Sequence, residues 1–108
     1  MGGSVHGTRC ECGHESSVSI GGNTECEFPF YCKECGLVSI NIKGELKCPE
    51  CLSFEINEYG KEPISIRNMS DEYPVIQCYE YEAYWHGNLC PRCKQHTMRF
   101  GPAEIFFD

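Results

Sequence analysis

Tyr31-Cys32-Lys33-Glu34-Cys35-Gly36, followed by Cys48-Pro49-Glu50-Cys51 with residues 36–47 between the two cysteine pairs, governs how this chain folds. Two cysteines separated by two residues bend the backbone so that both sulfurs face one ion, and two such turns supply a tetrahedron of thiolates. The residue after the second cysteine often needs a positive φ, which glycine adopts freely, and Gly36 meets that need. Pro49 presets φ at the start of the other turn. The same devices recur toward the chain ends. Cys10-Glu11-Cys12-Gly13 is a contracted glycine-type knuckle, and Cys90-Pro91-Arg92-Cys93 is a second proline-type knuckle.

These four pairs take eight of the ten cysteines in 108 residues. Secreted disulfide scaffolds usually spread their cysteines singly, so close pairs argue for metal ligation by Cys10, Cys12, Cys32, Cys35, Cys48, Cys51, Cys90 and Cys93. A chain of this length forms one domain with a modest core, which metal ions can reinforce. The ligand grouping has alternatives. In a nested scheme Cys32, Cys35, Cys48 and Cys51 share one ion, and Cys10, Cys12, Cys90 and Cys93 the other. A sequential scheme pairs the first four and the last four, and a cross-braced scheme is a third. Nesting is favoured, because only it closes each site with a glycine-type knuckle followed by a proline-type one.

The central stretch resembles zinc ribbons, and it is also similar to the short rubredoxin-type domain at the end of rubrerythrins. The resemblance spans about twenty residues and implies knuckled β-hairpins around a closed metal site. It implies either two Zn2+ ions, the expectation adopted here, or iron at one or both sites. Leu52 departs from the pattern, standing where a glycine frequently follows the second knuckle.

Outside the knuckles the chain reads as mostly β, with no sustained helical period. Residues 1–8 are rich in Gly and Ser and are expected to form a flexible lead to a single two-metal domain over 9–108. Ser17 to Ile20 and Cys26 to Cys32 read as one hairpin about Gly21-Gly22-Asn23, with Cys26, Phe28 and Phe30 on one face. Val38, Ile40 and Ile42 open a second hairpin, turning at Lys43-Gly44-Glu45 and ending at Cys48. Phe54 and Ile56 continue in alternation, residues 67–74 form a loop, and Pro74 to Trp85 is the longest strand expected. Met98, Phe100 and Ile105 to Phe107 close the chain in extended segments. Cys26 and Cys78 are expected to be buried thiols, a disulfide between them being the alternative. His6, His14, His86 and His96 are expected to leave ligation to the cysteines.

The formal charge of −7 becomes four units more negative if eight thiolates surround two divalent ions. Such a particle lacks the basic face that nucleic acid requires. Arg9, Lys33, Lys47, Arg92 and Lys94 lie in or beside the knuckles, where they are expected to offset the thiolates. No run is long enough to span a membrane, and the start lacks a basic segment followed by an apolar one, so a cytoplasmic setting is expected. Catalysis is not expected. There is no His-Glu-x-x-His, no deaminase pattern, no Gly-x-Ser-x-Gly elbow and no phosphate loop, and four thiolates close the coordination sphere. The expected role is that of a protein-binding adaptor or regulatory module. An iron electron carrier and a nucleic-acid-associated ribbon are the alternatives. The aromatic residues Tyr79, Tyr81, Tyr84 and Trp85 are the partner surface proposed from sequence, although Tyr79, Tyr81 and Trp85 equally suit the inner face of a sheet.

Overall fold

The computed structural model describes residues 3–22, 26–66, 73, 74, 76–78 and 81–107, with side chains described outside 76–78 and Phe107. The helices and strands among them are all strands: β1 (Gly3–Cys10), β2 (Glu15–Gly21), β3 (Glu27–Cys32), β4 (Gly36–Asn41), β5 (Ile56–Glu58), β6 (Ile76–Cys78), β7 (Tyr81–Ala83) and β8 (Met98–Phe107). Six of these form one antiparallel sheet in the order β4-β3-β2-β1-β8, with β5 also on β3, while β6 and β7 form a separate ribbon. The mostly β class follows from the dominance of β-branched and aromatic residues.

The glycine-type knuckles are the hairpin turns. Cys10 to Gly13 reverses β1 into β2, whose register runs from Arg9↔Glu15 to Gly3↔Gly21. Lys33 to Cys35 reverses β3 into β4, with Cys32 opposite Gly36. β2 and β3 are antiparallel neighbours, as the hairpin expected about Gly21-Gly22-Asn23 requires, but among the described residues they pair only at Gly21↔Glu27, and the length of β2 pairs with β1 instead. The turn at Lys43-Gly44 exists, held by the Gly44 N–H on the Asn41 carbonyl at 3.1 Å, but no strand follows before β5.

The flexible lead expected over residues 1–8 is also corrected. From Gly3 onward it is β1, paired on one edge with β2 and on the other with β8. Its inward residues are Ser4, His6 and Thr8, all buried, so the strand carries no apolar alternation to announce itself. His6 is satisfied internally. Its Nδ1–H donates to the Gly101 carbonyl at 2.8 Å, leaving Nε2 to accept from the Ser4 hydroxyl at 2.7 Å. The β1–β8 register shifts on either side of His6, beside Pro102, which has no N–H for the ladder.

Between the strands lies a core of Ile20, Phe28, Tyr59, Met98 and Phe100, each essentially inaccessible to water. Side chains of this kind contribute about 1.5–3 kcal/mol each on full burial. Tyr59 meets Phe100 edge-on at 5.7 Å between ring centroids, and Phe28 packs against Tyr81 at 5.2 Å. The long strand expected from Pro74 to Trp85 is instead the ribbon of β6 and β7, where Ile76 faces Ala83 and Cys78 faces Tyr81. Cys26 is buried as expected, but it is disulfide-bonded rather than a free thiol. Its apolar surroundings accommodate either form, and the side chain of Cys78 lies outside the described residues. Among the described residues no helix is long and apolar enough to cross a membrane.

Candidate metal centres

Each knuckle is built by its own backbone. The Leu52 N–H donates to the Cys48 carbonyl and the Cys48 N–H to the Ser53 carbonyl, at 2.9 and 2.8 Å. The last knuckle repeats this pattern with Lys94 on Cys90 and Cys90 on Gln95, both at 2.9 Å. In the contracted first knuckle both bonds move one residue closer, with Gly13 on Cys10 at 3.0 Å and Cys10 on His14 at 2.9 Å. In all four knuckles the residue after the second cysteine has positive φ: Gly13 at 95°, Gly36 at 87°, Leu52 at 63° and Lys94 at 61°. The turn imposes this conformation whatever the residue.

The sulfurs gather in two sets of four, Cys32, Cys35, Cys48 and Cys51 in the first centre and Cys10, Cys12, Cys90 and Cys93 in the second, with all sulfurs of a set within 4.8 Å of one another. This is the nested grouping. Cys32 and Cys51 stand 3.6 Å apart, Cys10 and Cys93 3.6 Å, and Cys12 and Cys90 3.7 Å. A tetrahedron with metal–sulfur bonds of about 2.3 Å has edges of about 3.8 Å, so the spacing fits a tetrahedral thiophilic ion. Zinc and iron are both such ions. Cys10, Cys32, Cys48 and Cys90, the first of each pair, are buried, while Cys12, Cys35 and Cys51 are exposed and Cys93 is half-buried. Each centre therefore lies just beneath the surface and can be loaded from solvent.

The thiols of a set differ in acidity. Burial pushes Cys48 up, but the Cys51 and Glu50 backbone N–H groups and hydrogen bonds from Cys35 and Cys32 outweigh it, bringing the thiol down to about 7. Cys35 is pushed up to about 12, chiefly by its hydrogen bond to Cys48. Cys51 is raised too: the Ser53 backbone group lowers it, but the hydrogen bond to Cys32 and burial prevail. In the second centre burial again acts upward on Cys10, yet the Cys12 backbone N–H and the Thr97 hydroxyl lower it to about 6. Cys90 rises to about 11, led by burial. Each centre thus holds a thiolate-forming sulfur beside thiols that keep their protons until an ion displaces them.

The two centres touch. A Cβ placed on Gly36, in the first, would lie 2.9 Å from the Pro91 Cβ in the second. Lys94 Nζ donates to the Tyr31 hydroxyl at 2.9 Å and lies 5.4 Å from that ring's centroid. Tyr59, fully buried, donates to the Leu89 carbonyl at 2.7 Å. Burial and the neighbouring Tyr31 and Cys90 hold its hydroxyl well above the usual phenol range.

Several other residues singled out by sequence have partners other than the sulfurs. Lys94 serves Tyr31, Arg9 pairs with Glu15 at 3.4 Å and Lys47 with Glu45 at 3.6 Å, so these cations are engaged with protein groups. No histidine joins either sulfur set; His96 Nε2 reaches the Pro63 carbonyl at 2.6 Å. The proposed aromatic surface is dispersed. Tyr81 is half-buried against Phe28 and Phe30, Tyr84 is buried with its hydroxyl on Glu82 Oε2 at 2.6 Å, and Trp85 is exposed. Tyr79 lies outside the described residues. One contributor escaped the sequence reading: Thr97 Oγ1 stands 3.2 Å from Cys10 Sγ and 3.9 Å from Cys93 Sγ. Its place four residues beyond Cys93 was the available signal.

Fold and centres together define a β protein with two four-cysteine groups that could each hold a metal ion, consistent with zinc-ribbon-like knuckles. Comparison of the chain with protein-family models, with curated proteins and with solved structures finds no match.

Proposed function

We propose that this protein is a non-catalytic, protein-binding adaptor or regulatory module whose fold is stapled by two structural Zn2+ ions. The observation that carries the reading is the pair of four-sulfur sets, each with all its sulfurs within 4.8 Å of one another and with edges as short as 3.6 Å. Four thiolates saturate a zinc ion and leave no position for substrate, so the ions serve the fold and function falls to the surface. The net charge of −7 supports a protein partner over nucleic acid. A reducing, cytoplasmic setting belongs to this reading, since it keeps the exposed ligand thiols from oxidising; the disulfide at Cys26 then survives there only by its burial away from reductant.

Elemental analysis of natively purified protein tests it. Two zinc ions per chain, a colourless solution and loss of structure on chelation are expected. A red chromophore with stoichiometric iron would instead support the electron carrier, which the same sulfur geometry favours equally. A protein that binds no transition metal while folded would refute both.

A further inference from the structure

β1 and β8 change register on either side of His6, and the pairing leaves Gly7 without a partner in β8. A bulged seam and a glycine inside a strand both mark places where another group approaches the backbone closely. A cleft of about 530 Å³ opens there, a size usual for small-molecule sites, with Gly7, Gly101 and Pro102 in its lining. Thr8 lines it too. This residue is only 3% exposed, and its hydroxyl has no hydrogen-bond partner among the described residues. Buried hydroxyls are nearly always bonded, so this one is free for a group that enters the cleft.

The walls decide what that group is. Trp85, 37% exposed, supplies an aromatic face. The formal charges of the lining cancel, Arg9 and Arg99 standing against Glu15 and Glu104. Arg9 is already paired with Glu15, and Arg99 with Glu11. The Glu104 carboxylate reaches over Gly7, 3.5 Å from where a Cβ would stand. A lone anion would meet the two glutamates and a lone cation the two arginines, so neither sign is favoured. A neutral hydroxyl both donates and accepts, and it can bond to carboxylate and guanidinium without displacing either. A sugar ring combines such hydroxyls with an apolar C–H face that stacks on an indole. His86 and Arg99 also line a neighbouring cleft of about 510 Å³, which gives room for more than one ring.

We infer that this cleft binds a neutral oligosaccharide, one ring stacked on Trp85 with its hydroxyls taken by Thr8, Glu104 and the arginines. The site adds a small-molecule ligand to the adaptor reading and does not depend on it.

Trp85 is the single tryptophan of the chain, so its emission reports occupancy directly. The zinc-loaded full chain is titrated with neutral trisaccharides of glucose, galactose, mannose and N-acetylglucosamine, with the matching monosaccharides, and with AMP and arginine amide as charged probes. At least one trisaccharide should shift the emission saturably, with a Kd of about 1 mM or below, and bind more tightly than its monosaccharide. The charged probes should not. By calorimetry, Trp85→Ala and Glu104→Ala should each weaken binding by about tenfold while keeping the parental zinc content. Thr8→Val keeps the side-chain shape and removes the unpartnered hydroxyl. It should melt higher than the parent without sugar, yet bind the sugar about tenfold more weakly, a combination that a merely structural Thr8 would not give. Three results would each overturn the inference: no saturable response to any of these trisaccharides up to about 10 mM, an equal or stronger response to AMP or arginine amide, or unchanged affinity in Trp85→Ala and Thr8→Val.

Discussion

Lys94 shows how one residue can hold a strained backbone in place. Its left-handed conformation costs a non-glycine residue about 1–2 kcal/mol, and its hydrogen bond and cation–π contact with Tyr31 offset that cost. Lys94→Ala keeps the strain and loses both contacts, so it should destabilise the protein by about 1 kcal/mol. Lys94→Gly loses the contacts and the strain together and should fall closer to the parent. Denaturant midpoints of the three proteins check the order, and an alanine variant more stable than the glycine one would contradict it. Gly36 has no such freedom. At φ 87° and with Pro91 in the way of a Cβ, Gly36→Ala should destabilise by about 1–3 kcal/mol and lower zinc retention at both centres, since it sits in the contact between them. Melting temperature and metal content report the two effects.

At the scale of an element, a knuckle that takes up a metal ion must couple that uptake to its protons. In the metal-free protein Cys48 and Cys10 are brought to about 7 and about 6 from an ordinary value of 9.0. These depressed values favour the folded chain above the ordinary thiol value, and the contribution is lost as pH falls through about 7 and then about 6. Cys35, Cys51 and Cys90, all raised, carry their protons at neutral pH. Zinc must displace those protons, so affinity should rise with pH. Acidification should release the ions at a pH below these metal-free values, because the ion competes with the proton. Zinc titrated into a weakly buffered neutral solution should therefore acidify it; a silent electrode would mean that the thiols were already ionised or already bound.

For the whole molecule, the nested grouping ties the first and last knuckles together through the second centre and sets that centre against the first. Gly36 against Pro91, Tyr31 against Lys94 and Tyr59 against Leu89 form the shared wall. Emptying one centre should then loosen the other. Cys90→Ser is expected to weaken zinc binding at Cys32, Cys35, Cys48 and Cys51 by about tenfold, a coupling of roughly 1.4 kcal/mol. Competition with a chromophoric chelator measures it, and an unaltered affinity at the first centre would show the wall to be passive. Hydrogen exchange in the same variant should rise first in β1 and β8, whose pairing the second centre closes.

Residue type and spacing alone marked the eight candidate ligands and the β class, because a knuckle is a local device: the turn, its glycine or proline and its two sulfurs lie within a few residues. They favoured the nested grouping, which the tertiary structure decided. The polar strand β1, the pairing of β2 with β1, the breaking of residues 74–85 into a ribbon and the disulfide at Cys26 were decided by tertiary structure. Ser4, His6 and Thr8 are buried by partners nearly a whole chain length away, Gly101 among them, and no window of sequence contains both sides of that contact. The same holds for Leu52, whose exposure and strain emerge only when the finished turn leaves its side chain facing water.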